Sequence, residues 1–291
     1  MAVRVAPIGE HDLPRVADFL HRELNQRVSA EQWQSAMRVP WAIEAPNYGF
    51  LLESEGGVVG VYLAFYSERL VAGVRERFCN LGAWCVLPEH RFSGLRLLKS
   101  LLDQPGYHFT DLSPSGNVAP LNTRLGFEFL DTDTALVPNL PWPTWPTWPV
   151  GADRLRLSSD PRVIEAALDG VDLQRYRDHV GTAAARHLVI QDGDRACHVV
   201  FRRDRRKNLP LFASVLYASD PELFARAWRR VSRHLLIRHG LPVMLVETRC
   251  LSRRVWPSVI LPQHRRKMYR SHSLKPDEID YLYSELVCVA W

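Results

Sequence analysis

The chain has 291 residues, 46% of them apolar and 24% charged, which is the composition of a folded globular protein and argues against disorder. That length suits two domains better than one. No stretch of about 18 uncharged apolar residues is present, and MAVRVAPIGEHD lacks the apolar centre of a signal peptide, so a cytoplasmic protein with no membrane partner is expected. Charge is uneven. Residues 1–150 carry a net −4 and residues 151–291 a net +9, which favours two units with different surfaces.

The first half alternates strand and helix patterns. VRVAPI (3–8) reads as a strand and EHDLPRVADFLHREL (10–24) as a helix, with Leu13, Val16, Ala17, Leu20 and Leu24 on one face. Ser29 opens a second helix over 29–37. Residues 48–68 read as a hairpin hinged at Glu55-Gly56-Gly57, and 77–88 as a fourth strand. HRFSGLRLLKSLL (90–102) then supplies a turn and a helix. YHFTDLS (107–113) returns as a strand, and 117–137 as a short helix, the turn Leu125-Gly126-Phe127, and one or two strands. This order describes a compact α/β domain.

LPWPTWPTWPVG (140–151) carries four prolines and reads as a stiff extended linker. Its Trp142, Trp145 and Trp148 form either a recognition surface or a packing belt, the belt being favoured because exposed tryptophans promote aggregation. The second half repeats the pattern: a strand at 152–159, a helix at 161–170, and a hairpin at 187–204 turning at Asp192-Gly193-Asp194. A strand at 209–220 follows, then an amphipathic helix ending at Gly240 and a strand at 242–251. DEIDYLYSELVCVAW reads as a helical turn and a closing apolar strand. The boundaries expected are 1–138, a linker at 139–151, and 152–291. The similar element order suggests internal duplication.

A strand running into a glycine-containing turn that starts a helix can gather unpaired amides at the positive end of a helix dipole. Here Gly94 would permit close approach of a diphosphate, with Arg91 or Arg96 adding charge. By itself R-x-x-G-x-R fits an ordinary helix start with two solvated arginines better. With its context, the segment Arg91-Phe92-Ser93-Gly94-Leu95-Arg96 resembles the pyrophosphate loop of the GNAT superfamily of acyl-CoA N-acyltransferases. Asn117, followed by Leu125-Gly126-Phe127, resembles that family's later signature. The resemblance spans residues 3–137, about half the chain, and the second half resembles a degenerate copy.

The resemblance implies two α/β (or α+β) domains, each a mixed, mostly antiparallel sheet flanked by helices. It implies acetyl-CoA or another acyl-CoA as co-substrate and a small-molecule or peptide amine as acceptor. An opening is implied between the fourth and fifth strands, near 84–88 and 110–113. Backbone of Val86 and Leu87 would pair with the pantetheine arm, and amides of Phe92, Ser93, Gly94, Leu95 and Arg96 would hold the diphosphate. Two positions depart from the family pattern: Arg96 where Gly or Ala is usual, and Asn122 where a tyrosine often protonates the leaving thiolate.

Glu89 and His90 are the leading candidates for the base, with Glu76 and Asp111 behind them. Cys85 could be a nucleophile, although burial explains it and the other four scattered cysteines better. Ser113 and Ser115 either line the acceptor side or form a turn. No metal site is expected. The junction YASDPELF (217–224) lacks glycine and basic residues, so the second half is expected not to bind a diphosphate there. Basic runs at 201–208, 248–256 and 263–272 are plain solvated surface or a dock for an acidic partner such as an acyl carrier protein, with nucleic acid disfavoured. A non-catalytic binding or scaffold protein on the same fold is the rival reading.

Overall fold

The computed structural model describes residues 3–142, 155–206 and 209–291. They form two compact units, residues 1–131 with 266–291 and residues 132–265. The first begins with β1 (Arg4–Pro7), a 3-10 turn, and helices α1 (Leu13–Glu23) and α2 (Ala30–Met37). Leu13, Val16, Ala17 and Leu20 of α1 are buried, as their spacing requires. Ser29 caps α2 by accepting from the Gln32 amide at 3.2 Å. Then come β2 (Gly49–Ser54), β3 (Gly57–Val71), β4 (Val74–Val86), a 3-10 segment Pro88–Ser93, and α3 (Gly94–Leu102). β5 (His108–Asp111), α4 (Val118–Arg124) and the two-residue β6 (Glu128–Phe129) complete this stretch.

The second unit opens with β7 (Thr134–Pro138) and β8 (Leu155–Ser158), followed by α5 (Pro161–Ala167) and α6 (Gly170–His179). β9 (Ala185–Asp192), β10 (Arg195–Arg206) and β11 (Leu209–Ala218) form an antiparallel meander, which α7 (Pro221–His239) leaves for β12 (Val243–Glu247) and β13 (Val259–Leu261). Gly240 ends α7 in the left-handed region, at φ 63°. The chain finishes in the first unit with β14 (Met268–Arg270) and α8 (Glu285–Cys288).

The two sheets have corresponding orders, β1-β2-β3-β4-β5-β14-β6 and β8-β9-β10-β11-β12-β7-β13 read from matching edges. Each has a single parallel pair, β4 with β5 and β11 with β12. The sixth place shows the exchange: β14 from the chain end fills it in the first sheet, and β7 fills it in the second.

Four expectations are corrected here. The first domain does not keep residues 132–138, because β7 pairs with β12 from Thr134↔Glu247 to Pro138↔Val243. The second does not keep 266–291, because β14 lies between β5 and β6. The basic run 263–272 is therefore not all solvated surface: Met268 and Tyr269 are buried, and the Lys267 ammonium sits 3.3 Å from the Tyr281 ring centre. Finally, the chain closes as α8, with no closing strand. Ile279, Tyr281, Leu282, Tyr283, Leu286 and Val287 are all buried in the first unit, a run too apolar to stand exposed at an edge.

Trp142 packs edge-on against Trp228 with ring centres 5.5 Å apart, so one member of the tryptophan belt is a packing residue; Trp145 and Trp148 lie outside the described residues. Helix α6 was not foreseen, since DLQRYRDH has little apolar periodicity. Among the described residues no helix is long and apolar enough to cross a membrane.

Candidate active site

β4 and β5 pair in parallel only from Phe78↔His108 to Leu81↔Asp111. β4 continues five residues further while β5 stops, so the sheet opens there. At that point β4 is bulged. Tyr62 pairs with Trp84 and Leu63 with Gly82, leaving Ala83 unpaired at φ 54°. The bulge increases local twist and turns the end of β4 away from β5. On the opposite side Gly82 allows close packing, since a Cβ there would come within 3.1 Å of the Glu285 and Phe65 side chains.

The opening holds a cleft of about 210 Å³ lined by Tyr62, Ala83, Trp84, Asp111, Ser113 and Trp291, among others. The Trp84 and Tyr62 rings stack with centres 4.6 Å apart. The indole N–H of Trp84 is buried and has no hydrogen-bond partner among the described residues. Trp291 is held edge-on against Trp33 at 5.4 Å.

Alternation along β5 sends Phe109 and Asp111 to one face of the sheet and Thr110 to the other. Asp111 meets α4, where Asn122 donates from Nδ2 to its Oδ2 at 2.8 Å. Thr110 donates to Asn80 Oδ1 at 2.9 Å, and Asn80 donates to Glu285 of α8. Ser113 connects the two faces. Its amide is 3.4 Å from Asp111 Oδ1, and its hydroxyl donates to Glu285. Burial, and then the charge of Glu285, push the Asp111 carboxyl up to about 7, against the lowering effect of the Asn122 and Ser113 hydrogen bonds. Tyr62 is pushed well above its usual value, first by burial and then by Asp111.

The expected site residues divide. Asp111 and Ser113 line the cleft with Ser115. Glu89 is exposed and His90 half-buried on the 3-10 segment, and neither lines the cleft. Glu76 lies lower on β4 and pairs with His108 Nε2 at 3.0 Å. The Cys85 thiol is raised to about 11 by burial, which opposes thiolate formation. The other four cysteines are buried, and none is in a disulfide.

Backbone of Val86 is at the open end of β4, whereas the Leu87 amide already donates to Val59 at 3.0 Å. Arg91 and Phe92 are exposed and Ser93 half-buried in the 3-10 segment, which leads straight into α3. The Gly94 amide donates to the Arg91 carbonyl, and Ser93 makes no side-chain cap. Gly94 is buried at an ordinary φ of −58°; a Cβ there would lie 3.3 Å from Val86 and 3.5 Å from Trp84. Its role in the structure is close packing of α3 on β4. Leu95 is exposed, and Arg96 donates to the Val3 carbonyl at 2.7 Å. Asn117 is exposed at the start of α4 and makes no cap. In the second unit the corresponding corner is filled by the chain itself: Asp220 caps the Leu223 amide at 2.9 Å and pairs with Arg195 at 2.6 Å.

Sequence reasoning missed Glu285, Tyr62, Trp84 and Trp291. For Glu285 a signal was present, because one carboxylate inside YLYSELVCVAW needs buried partners. The stacked aromatics left no such trace.

No family model matches the sequence, and no curated protein matches it. Solved structures do. A GCN5-related N-acetyltransferase from Anabaena variabilis ATCC 29413 superposes with TM-score 0.57 at 13% identity, over 92% of this chain and 72% of that one. A probable N-acyltransferase from Enterococcus faecalis V583 gives 0.57 at 13%, over 93% and 73%. A putative acetyltransferase from Pyrococcus horikoshii gives 0.55 at 12%, over 99% and 94%. At such identities the likeness establishes the fold, which is that of the GCN5-related N-acetyltransferases with two sheets in tandem.

Proposed function

On this fold, we propose that the first unit transfers an acyl group from acyl-CoA to an amine, with Asp111 as the base. The observation that carries the reading is the Asp111 carboxyl, raised to about 7 at the mouth of the β4–β5 opening. A base titrating near neutrality can accept a proton from an ammonium-derived nucleophile and still be ionised in an appreciable fraction of molecules.

Backbone groups alternate sides along β4, and Leu87 faces β3 through its bond to Val59. Trp84 and Val86 therefore face the open edge and would pair with the pantetheine arm, with Trp84 taking the place expected of Leu87. Arg91, exposed and without a partner among the described residues, would meet the diphosphate beside the start of α3. The amine nitrogen attacks the thioester carbon; its proton passes to Asp111, the C–N bond forms and the C–S bond breaks. Amides at the β4 bulge would stabilise the oxyanion. With Asn122 in place of tyrosine, the leaving thiolate takes its proton from water or from protonated Asp111.

The test is release of free CoA thiol from acetyl-CoA in the presence of a panel of amines, comparing wild type with Asp111→Asn. Amine-dependent release that falls about a hundredfold or more in the variant supports the reading. Equal release in both removes Asp111 from the mechanism. No release from acetyl-CoA, but release from an acylated carrier protein, would make the carrier the donor.

A further inference from the structure

Helix α7 carries Arg226, Arg229, Arg230, Arg233 and Arg238 against a single carboxylate, Glu222. Three of these cations have evident work. Arg226 pairs with Asp192 at 2.9 Å, Arg229 lies over the rings of Trp142 and Trp228, and Arg230 donates to the Leu155 carbonyl at 2.8 Å. Arg233 and Arg238 are exposed and have no partner among the described residues.

Positions 230, 233, 234, 237 and 238 follow helical spacing and so share one face. Together with Leu157 of β8 they line a groove of about 430 Å³, a volume in the range of small-molecule sites. It is lined by three arginines, of which Arg230 also reaches the Leu155 carbonyl, by His234 and by the apolar Leu157 and Ile237; Ile237 is 57% exposed. No carboxylate lines it among the described residues. His234 Nε2 is buried and has no hydrogen-bond partner among the described residues. Arg238 by itself would be explained by the negative end of the α7 dipole, but Arg233 lies more than a turn earlier.

Three cations facing one space repel one another, and an anion seated between them relieves that repulsion. A phosphate monoester carries close to two charges and three acceptor oxygens, matching several guanidinium forks at once, where a carboxylate would match one. The apolar walls accommodate a small hydrocarbon substituent. We propose that the α7–β8 groove of the second unit is a binding site for a phosphate monoester bearing a small apolar group. This site is separate from the cleft at Asp111 and does not depend on the acyl-transfer reading.

The test is calorimetric titration of n-butyl phosphate, inorganic phosphate and n-butanol into the full chain at low salt. The variants are the Arg233→Ala/Arg238→Ala pair and the corresponding Lys pair, each checked for a wild-type thermal transition. A parallel arm measures sedimentation with phosphatidylcholine vesicles containing phosphatidic acid. Expected is saturable binding of n-butyl phosphate, tighter than inorganic phosphate, with no binding of butanol. Affinity should fall roughly ten- to hundredfold in the Ala pair, fall less in the Lys pair, and weaken with salt. Binding of the soluble ester alone identifies a free phosphate ester; arginine-dependent binding to vesicles alone identifies a lipid headgroup. Absence of both, or binding that the Ala pair leaves unchanged, overturns the proposal.

Discussion

Asn122 donates from Nδ2 to Oδ2 of Asp111 at 2.8 Å, joining α4 to the end of β5 through two almost fully buried residues. The bond favours the charged carboxylate, while burial and Glu285 favour the neutral acid. Two substitutions should therefore move Asp111 in opposite directions. Asn122→Leu removes the donor and should shift the acid limb of the kcat/KM profile to higher pH. Glu285→Gln removes the like charge, keeps one carbonyl oxygen to accept from Asn80 or Ser113, and should shift it to lower pH. Shifts on the order of one unit are expected from full pH–rate profiles. If both variants shift the limb the same way, the limb belongs to another group.

Acid should affect the two units with opposite sign. Asp111 has a folded value of about 7, above the unfolded carboxylate value, so the folded state binds the extra proton. Its contribution is fully present below the unfolded value of about 4 and is lost as pH rises through 7. In the second unit the His187 and His198 rings stack, with Nδ1 and Nε2 3.1 Å apart, and burial lowers them to about 4 and about 3. Their contribution is present above about 6.5 and is lost as pH falls toward 3 to 4. Hydrogen exchange read by mass spectrometry between pH 7 and 4 should show β9 and β10 losing protection before β4 and β5. Earlier loss in β4 would contradict both assignments.

Arg91→Ala should raise the KM for acyl-CoA by roughly tenfold with little change in kcat or thermal stability, because its side chain is exposed and has no hydrogen-bond or ion-pair partner among the described residues. Gly94→Glu is a poorer probe of the same turn: Gly94 is buried against Val86 and Trp84, so a long side chain would separate α3 from β4. Steady-state kinetics with varied acetyl-CoA decide it. An unchanged KM would show that Arg91 does not meet the diphosphate.

Gly49 has φ 115°, and a Cβ there would lie 2.2 Å from the Tyr62 carbonyl oxygen. Gly49→Ala should destabilise the first unit by more than about 2 kcal/mol, through both the forbidden backbone angle and the collision. Denaturant unfolding checks this, with Gly56→Ala as the control, since nothing lies within 4 Å of a Cβ at Gly56.

Much of the fold was legible because local physics decided it. The face of Leu13, Val16, Ala17 and Leu20, the Ser29 cap, the Gly240 stop and the strand–helix order all depend on neighbours within a few residues. The place where the sheet opens came instead from the resemblance to the acyltransferase family, not from local patterning. The lining of the cleft was not legible, because closeness in sequence to the end of β4 cannot show that Glu89 and His90 fall outside it while Asp111 and Ser113 line it. Likewise, the turn at 88–94 looked like a loop with open amides, and only coordinates show it winding as a 3-10 segment with the Gly94 amide bonded to Arg91.

By itself, then, the sequence determined the two repeating sets of strands and helices, since periodicity, caps and turns are encoded over short spans of chain. Tertiary structure decided the exchange that seats β14 in the first sheet and β7 in the second, and with it the approach of Glu285 to a carboxyl 174 positions earlier in the chain, Asp111. A carboxyl titrates according to the charges and water around it in space, and those neighbours come together only when the chain end folds back.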